Sequence, residues 1–246
     1  MDGVESRDHL LGGKLSFRQP KAGYRVAIDP IFLAASLQAE KGTRVLELGC
    51  GSGAASLCLL SRLATVDVSA LEVQASLADL ARRNAQDNCL AERFSLYHGD
   101  LLQLPSALGR GFDQVMMNPP YDAAGRGSAA GSLSKHTAHQ EGAATLADWV
   151  RQGLRCLKPQ GWLTVVHRAA RLDDLLAALH PKCGAIEILP LWPKAGQPAK
   201  RVLIRGRKGG KAPARLLPGL VLHDDRGGFT AQAQTILRDG GALSWA

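Results

Sequence analysis

The sequence predicts an α/β protein built on a doubly wound, mostly parallel β-sheet. Short apolar runs of strand type alternate with helical patterns along most of the chain, which is typical of βαβ units. A glycine-rich turn, Gly49-Cys50-Gly51-Ser52-Gly53, follows the first strong strand and opens a helix. Towards the C-terminus, two strand patterns joined by a short loop predict an antiparallel hairpin at the sheet edge. With 246 residues, the chain is long enough for one main core.

The elements can be assigned in chain order. Glycines and basic residues over residues 12–25 indicate a loop or short hairpin ahead of the fold. Asp29 followed by Pro30 predicts a helix with Asp29 as its N-cap and proline in the first helical position. Strands are then expected over 44–48, 65–71, 94–98, 112–117 and 161–167, and helices over 54–63, 74–88, 143–158 and 172–179. The predicted hairpin pairs 186–192 with 201–205, and a further helix is expected over 231–238.

Four successive strands end in residues that can bind a ligand. The glycine turn ends the first, Glu72 the second, Asp100 follows the third and Asn118 the fourth. In such sheets ligands lie beyond the carboxyl ends of the strands. Glycines admit a ligand close to the backbone, and the next helix offers N–H donors to an anionic group. Glu72 is placed either to bind ribose hydroxyls or to favour a helix N-terminus. Asp100 fits either an adenine amino group or a loop cap.

The tetrapeptide Asn118-Pro119-Pro120-Tyr121 indicates chemistry on an amino group. A nitrogen attached to an aromatic base or an amide is a poor nucleophile, because its lone pair is delocalised. The Asn118 side-chain oxygen and the Pro119 carbonyl can accept its hydrogens and take up the developing positive charge. The proline pair removes two N–H donors, so no local turn captures these carbonyls. Tyr121 offers a flat face for a splayed-out base. By itself the tetrapeptide also fits an ordinary turn.

Charge favours a polyanionic partner, with nucleic acid as the first candidate. The formal net charge is +8 and the pI is near 9.5. Basic residues cluster near the C-terminus without an intervening acid, and this segment either follows a phosphate backbone or guards an exposed edge strand. We predict nucleic-acid contacts by Lys200, Arg201, Arg205, Arg207, Lys208 and Lys211, within a basic run that also includes Lys194 and Arg215.

The remaining patterns favour a cytoplasmic protein without metal. The five cysteines form no CxxC pair and show no metal-ligand spacing, which indicates a reducing compartment. His136 and His139 do not form a ligand pair on one helical face. The first 15 residues lack the pattern of a signal peptide, and no apolar run is long enough to cross a bilayer. Residues 122–135, rich in Gly, Ala and Ser, predict a mobile flap over the reaction centre.

Taken together, these motifs resemble class I S-adenosylmethionine-dependent methyltransferases of the NPPY type. More closely, the chain is similar to the bacterial tRNA1(Val) adenine-N6 methyltransferase family over residues 23–209. Residues 23–29 match the family's pre-glycine motif, 47–53 its cofactor loop, and 118–121 its catalytic motif. The resemblance implies a Rossmann-like, seven-stranded sheet with an antiparallel last strand. It also implies S-adenosyl-L-methionine as cofactor, bound by Arg25, Asp29, Glu47, Gly49, Gly51, Gly53, Glu72 and Asp100.

The implied reaction is methylation of adenine N6 in a tRNA anticodon loop, with Asn118, Pro119 and Tyr121 as catalytic residues. Protein glutamine-N5 and RNA guanine-N2 methylation remain alternatives. The short segment before Arg44 and the basic C-terminal region favour RNA over protein, and Tyr121 slightly favours adenine. The glycine turn also fits a dinucleotide-binding pattern, but an oxidoreductase needs neither Asp100 nor the proline pair.

A noncatalytic RNA-binding module is disfavoured by the intact motifs. The expected division of the chain is an N-terminal loop and helix (1–42), a methyltransferase domain (43–209) and a C-terminal extension (210–246). The oligomeric state is left open.

Overall fold

The computed structural model describes residues 5–22, 25–121 and 144–246. Gly23 and Tyr24, the predicted flap over 122–135, His136 and His139 lie outside the described residues. The strands are β1 (Glu5–Leu10), β2 (Leu15–Pro20), β3 (Arg44–Leu48), β4 (Asp67–Glu72), β5 (Phe94–His98), β6 (Phe112–Met117), β7 (Leu157–Arg168), β8 (Cys183–Trp192), β9 (Arg201–Lys208), β10 (Arg215–Leu216) and β11 (Leu220–Val221). The helices are α1 (Asp29–Ser36), α2 (Ala54–Arg62), α3 (Ala75–Asp87), α4 (Leu146–Cys156), α5 (Leu172–Leu179) and α6 (Ala231–Asp239).

Strands β3 to β11 form one large sheet in the order β5-β4-β3-β6-β7-β9-β8-β10, with β11 also paired to β8. The first five strands of this order pair in parallel, whereas β9 runs antiparallel to both β7 and β8. The seven long strands β3 to β9 therefore confirm the predicted doubly wound sheet. The β8–β9 hairpin itself is not the outermost part of the sheet, because β10 and β11 pair in parallel with β8.

The sheet is covered on both faces by helices, as its alternating side chains require. On β6, Met116 belongs to one apolar cluster, while Val115 and Met117 belong to the other. The first cluster includes residues of α1, α2, α3 and α6, and the second includes residues of α4 and α5. The C-terminal residues therefore share a core with α1 at the start of the chain.

The N-terminal segment forms a two-stranded antiparallel hairpin, β1 with β2, outside the large sheet. The hairpin packs on α3, where the Asn88 side chain exchanges hydrogen bonds with the backbone of Ser16. The prediction of a short hairpin over 12–25 therefore located β2 but missed β1.

The N-cap prediction for Asp29 is wrong. Helix α1 begins at Asp29 itself, Ile28 is the N-cap residue, and the cap has no side-chain hydrogen bond. Pro30 does occupy an early helical position, where its missing N–H is not needed. The Asp29 carboxylate is directed instead towards residues that are distant in the sequence, as described below.

None of the helices within the described ranges combines the length and apolar character needed to cross a bilayer. The same residues contain no group of three or more His, Cys, Asp or Glu side chains arranged to hold a metal ion.

Candidate active site

The sheet register places the predicted strand ends along one edge. Leu48 at the end of β3 lies opposite Leu71 of β4 and opposite Met117 of β6. Leu71 is in turn opposite Tyr97 of β5, and Met117 is opposite Val165 of β7. The glycine turn, Glu72, Asp100 and Asn118 therefore all lie at the ends of strands or just after them, at the carboxyl edge. The structure brings together the four strand ends that the sequence singled out.

The glycine turn is held in a conformation that other residues rarely adopt. Gly49, Gly51 and Gly53 have φ angles of 68°, 55° and 90°. Next to Gly51 the space is open, because a Cβ placed there would meet no atom within 4 Å. At Gly49, by contrast, a Cβ would lie 2.4 Å from Cη2 of Trp149 on α4. A ligand can therefore approach the backbone at Gly51, while the Trp149 ring covers Gly49.

Glu72 fixes the turn to the neighbouring strand. Its Oε2 accepts a hydrogen bond from the Gly51 N–H (2.8 Å), and its Oε1 accepts one from the Gln74 N–H (2.8 Å). The side chain is buried, and burial raises the pKa of this carboxyl group above its ordinary value. The two backbone hydrogen bonds act against this rise by favouring the ionised form. Both carboxyl oxygens of Glu72 are therefore held in a defined orientation at the carboxyl edge of the sheet.

Glu47 anchors the helix that follows the turn. Its Oε2 accepts a hydrogen bond from the Ser56 N–H in the first turn of α2 (2.9 Å) and another from the Ser56 hydroxyl. Complete burial raises the pKa of Glu47 to about 8. The side chain thus satisfies a backbone donor that the helix itself leaves open.

Two other predicted cofactor residues are engaged in local contacts. The Asp100 Oδ1 accepts a hydrogen bond from the Leu102 N–H (2.8 Å), which is the loop-capping role that the sequence left open. Arg25 forms an ion pair with Asp8 of the hairpin (2.9 Å) and donates a hydrogen bond to the Ser6 hydroxyl (3.0 Å). Arg25 therefore ties the segment before α1 to the hairpin.

Asn118 carries a buried acceptor, its side-chain Oδ1. Among the described residues, this oxygen has no hydrogen-bond partner. Leaving such an atom unpaired costs roughly 1–3 kcal/mol. The next residue, Pro119, is also buried, whereas Pro120 is exposed. An unpaired amide oxygen at the end of β6 is suited to accept an N–H group from a ligand.

Tyr121 is held by residues from three separate elements. Its hydroxyl donates a hydrogen bond to Oδ2 of Asp29 (2.7 Å), whose side chain is 4% exposed and forms an ion pair with Arg201 at 3.2 Å. Its ring meets His167 edge to face, with the ring centroids 5.1 Å apart. The Arg168 and Arg201 guanidinium groups lie 5.1 Å and 4.8 Å from the ring centre. Burial and the Asp29 carboxylate raise the pKa of the Tyr121 hydroxyl, so it stays protonated as a donor.

His167 completes the support behind the tyrosine. The residue is 1% exposed, and neither ring nitrogen makes a hydrogen bond of good geometry to the described residues. Burial lowers the pKa of His167, and the nearby Arg171 lowers it further. The imidazole is therefore neutral at physiological pH and packs against Tyr121 as an uncharged ring.

Comparison with known proteins gives a family that agrees with this geometry. A sequence model of the methyltransferase small domain matches residues 26–187. The chain belongs to this methyltransferase family. It is an S-adenosylmethionine-dependent methyltransferase of the class I fold.

Individual relatives support the assignment. A protein from Dickeya chrysanthemi named tRNA1(Val) (adenine(37)-N6)-methyltransferase is 26% identical over 241 residues, covering 94% of this chain and 94% of the relative. One of the same name from Aeromonas hydrophila is 29% identical over 197 residues, covering 77% and 79%. A crystal structure of a predicted O-methyltransferase from Agrobacterium tumefaciens has a TM-score of 0.72 at 25% identity and covers 88% of this chain and 98% of that one. An O-methyltransferase from Thermotoga maritima shares the fold, with a TM-score of 0.56 at 18% identity, covering 78% and 68%.

The basic C-terminal segment of this methyltransferase does not form one surface. Strand β9 begins at the carboxyl edge, where Arg201 lies opposite Arg168, and ends at the other edge, where Lys208 lies opposite Cys183. Eight extended residues span about 23 Å between these ends. Lys200 and Arg201 are therefore at the carboxyl edge, close to Tyr121, whereas Arg207, Lys208 and Lys211 follow the strand to the far side of the sheet.

Several of these basic side chains bind other parts of the protein. Arg205 forms an ion pair with Glu187, and its guanidinium lies 4.5 Å from the Trp162 ring centre and 4.4 Å from that of Trp245. The Lys208 ammonium donates hydrogen bonds to the carbonyls of Leu154 (2.7 Å) and Leu157 (2.6 Å) at the end of α4. Arg207 donates one to the Gln160 carbonyl (3.2 Å). Lys211 is exposed.

Sequence reasoning missed three residues that line the candidate site. The register of β7 places Arg168 and His167 beside Tyr121, and the packing of α4 places Trp149 on the glycine turn. Arg168 is the last residue of β7 and directly follows the strand predicted over 161–167, so the strand-end reasoning that found Asn118 applies to it as well. The positions of His167 and Trp149 depend on three-dimensional packing.

Proposed function

We propose that this protein transfers a methyl group from S-adenosyl-L-methionine to N6 of an adenine in the anticodon loop of a tRNA. The observation that carries the proposal is the buried Oδ1 of Asn118, which has no hydrogen-bond partner in the described part of the chain and lies at the strand end beside the glycine turn. The names of the relatives support both tRNA and adenine N6 as the target. A tRNA substrate also implies a cytoplasmic location. The proposed methyltransferase domain spans residues 43–209.

The chain's residues fit the cofactor. The open space at Gly51 lets the ligand approach close to the backbone, and Gly49 and Gly53 shape the turn. After its two backbone hydrogen bonds, Glu72 has lone pairs left to accept ribose hydroxyls. Asp100 retains a second carboxylate oxygen for the adenine amino group. When bound, the cofactor supplies an electrophilic methyl group on a sulfonium, from which a neutral thioether departs readily.

We assign indirect roles to the other predicted cofactor residues. Glu47 positions the N-terminus of α2, Arg25 positions the segment before α1, and Asp29 positions Tyr121. Each of these side chains is committed to a partner within the protein. These three residues therefore contribute to the site by holding neighbouring parts of the chain in place.

In the proposed reaction, Asn118 Oδ1 and the Pro119 carbonyl accept the two hydrogens of the adenine amino group. This contact draws the nitrogen lone pair out of the ring and stabilises the positive charge that develops as the N–C bond forms and the C–S bond breaks. One amino hydrogen then leaves as a proton to solvent. Tyr121 stacks the base at a position set by Asp29 and His167, which places the amino group against the acceptors.

The central test is Asn118→Ala. We expect kcat to fall by about 10³-fold, because one preorganised acceptor is removed, while the dissociation constant for the cofactor changes little. Methyl transfer to tRNA measures the first quantity and calorimetry measures the second. Asn88→Ala is the matched control, since the Asn88 side chain bonds to the backbone of Ser16 and Asn84 and not to Asn118 or Tyr121. Equal losses of transfer and cofactor binding in Asn118→Ala would contradict the catalytic role.

The substrate is tested by incubating the enzyme with labelled cofactor and separate RNA and protein pools. We expect label in the tRNA fraction and N6-methyladenosine on nucleoside mass spectrometry. RNA from a strain that lacks the protein should lose this nucleoside at one position. N2-methylguanosine, or label confined to protein, would overturn the assignment to adenine.

A further inference from the structure

We propose that a cleft between α4 and the loop joining β5 to β6 binds a phosphate group of the RNA chain, a few nucleotides away from the target base. The inference rests on the proposed function, because it takes an RNA as the substrate. It adds a contact outside the reaction centre, and it assigns this contact to Arg110 and Arg155. Neither arginine belongs to the basic C-terminal segment.

The cleft has a volume of about 300 Å³, at the lower end of the range for small-ligand sites. It is lined by two arginines, two glutamines and two leucines, without an aspartate or glutamate: Leu102, Gln103, Leu104, Arg110, Gln152 and Arg155. Both arginines are exposed, so a ligand can reach them from solvent. Neither the glycine turn nor Glu72 lines the cleft, which is therefore separate from the proposed cofactor site.

A backbone hydrogen bond brings the two arginines together. The Gly111 N–H donates to the Cys156 carbonyl (2.8 Å), and Arg110 and Arg155 directly precede these two residues in the chain. Burial raises the pKa of the Cys156 thiol, and the charges of Arg110, Arg155 and Lys208 act against this rise. Three cationic groups therefore lie around the end of α4.

The charges of the two arginines are not neutralised within the described residues. There the Arg110 side chain has neither an ion pair nor a hydrogen bond, and Arg155 has no acidic partner. The Nη1 of Arg155 donates to Oε1 of Gln152 (3.1 Å), a side chain that is 3% exposed. This contact holds one guanidinium group at the cleft, and the remaining N–H groups form a fork that matches phosphate oxygens.

The position of the cleft favours RNA as the source of the phosphate. Trp149 contacts Gly49 at the carboxyl edge, and Arg155 lies six residues further along α4, or about 9 Å. A nucleic-acid strand that rises roughly 3.4 Å per nucleotide covers this distance in about three nucleotides. An RNA whose target base lies at Asn118 can therefore place a nearby phosphate in the cleft.

Helix α6 provides a matched control. Arg155 is in the last turn of α4, and Arg238 is in the last turn of α6. Arg238 is also exposed and has no ion pair among the described residues. The two helices belong to different apolar clusters, on opposite faces of the sheet. Arg238→Gln therefore removes the same charge and the same favourable interaction with a helix C-terminus, but away from the cleft.

The experiment compares Arg110→Gln, Arg155→Gln and Arg238→Gln by direct binding of tRNA and by steady-state methylation at several salt concentrations. We expect each cleft variant to raise the dissociation constant and KM for tRNA about tenfold, and to lower the slope of log affinity against log salt by about one. The kcat at saturating tRNA and the cofactor dissociation constant should change less than threefold. Arg238→Gln should change KM less than twofold. Arg155→Lys keeps the charge but loses the fork, so its KM should lie between those of wild type and Arg155→Gln.

Two outcomes would overturn the RNA contact. One is a tRNA affinity of Arg110→Gln and Arg155→Gln equal to that of Arg238→Gln, which would reduce the effect to net charge. The other is an unchanged tRNA affinity with loss of any thermal stabilisation by inorganic phosphate, which would assign the cleft to a small free anion. If Arg155→Gln destabilises α4, Arg110→Gln decides, because Arg110 lies in the loop. A wild-type protein that binds tRNA through both arginines but transfers no methyl group to RNA would instead refute the proposed function.

Discussion

Asp29 connects three parts of the chain through one buried carboxylate. It accepts the Tyr121 hydroxyl from 92 residues away and binds Arg201 from 172 residues away. A carboxylate at the start of α1 is also favoured by the helix dipole. The orientation of the Tyr121 ring is therefore fixed from a different element than the one that carries it.

Substitution of Tyr121 by phenylalanine tests this connection. Tyr121→Phe keeps the ring but removes the donor to Asp29, so we expect stability to fall by about 1 kcal/mol and kcat to fall several-fold. Tyr121→Ala also removes the stacking face and should be far less active. Urea denaturation and methyl transfer to tRNA measure the two effects. Equal inactivity of both variants would show that the hydroxyl takes part in the reaction itself.

The raised pKa of Glu47 predicts that the free energy of unfolding depends on pH. Its pKa is raised from 4.5 to about 8 in the folded state, so the folded protein binds more protons than the unfolded chain between these values. Stability should therefore decrease as pH rises from about 4.5 to 8, and this contribution should level off above that range. Glu47→Gln keeps the shape and cannot ionise. Urea midpoints across this window should fall less steeply in Glu47→Gln than in wild type, and parallel curves would contradict the argument.

At the scale of elements, the side chain of Asn84 joins the hairpin β1–β2 to the glycine turn. Asn84 on α3 is fully buried, and its Oδ1 accepts the Arg18 N–H (2.8 Å). Its Nδ2 donates to the carbonyls of Arg18 (2.9 Å) and Ser52 (3.0 Å). Because Ser52 lies within the glycine turn, the hairpin braces the proposed cofactor site although it is not part of the large sheet.

We therefore expect Asn84→Ala to affect both stability and cofactor binding. The variant leaves three backbone groups without their partner, which should cost about 2–3 kcal/mol and weaken cofactor binding several-fold. Asn88→Ala removes the neighbouring contact with Ser16 and should lower stability without changing cofactor affinity. Urea denaturation and calorimetry separate the two effects. Similar cofactor affinities in both variants would show that Asn84 does not brace the turn.

The elements that sequence predicted well are those with a clear apolar period. Strands β3 to β6 and helices α2 and α3 carry this pattern because they lie in the core, and their observed bounds agree with prediction to within about two residues. Strand β1 reads Glu-Ser-Arg-Asp-His-Leu and was missed, because its partner β2 and the face of α3 define it rather than its own composition. β10 and β11 are two residues long, too short to carry a period.

The candidate site was predictable only where its residues lie at strand ends. Local patterns located the glycine turn, Glu72 and Asn118, because each lies at the end of a strand or directly after it. The contacts of Asp29 with Tyr121 and of Arg168 with Arg201 depend on chain register, which no local pattern encodes.

At the scale of the whole molecule, two regions of the sheet have different tasks. The carboxyl edge carries the proposed cofactor and base sites, while the packing between α1 and the middle of β9 is secured by a residue near the C-terminus. Trp245 is buried, and its indole N–H donates to the Ser36 carbonyl at the end of α1 (2.7 Å). Its ring also contacts the Arg205 guanidinium, which is paired with Glu187. Arg205 is thus a component of the packing in this region.

Trp245→Ala should therefore destabilise the protein by about 3–4 kcal/mol through loss of a large buried ring. Cofactor affinity should be unchanged at temperatures where the variant is folded, because the ring packs on the end of α1 and on Arg205 rather than on the glycine turn. Thermal denaturation and calorimetry measure the two quantities. A selective loss of cofactor binding with normal stability would contradict this division of tasks.

The contact between Trp149 and Gly49 gives the enzyme an internal optical reporter. The indole ring covers the first glycine of the turn, so its emission should respond when that turn becomes occupied. The other three tryptophans, at positions 162, 192 and 245, lie on β7, on β8 and near the C-terminus. A fluorescence titration with cofactor should thus show a saturable change that disappears in Trp149→Phe. Occupancy of the cofactor site can then be followed in real time, without any label on RNA or protein.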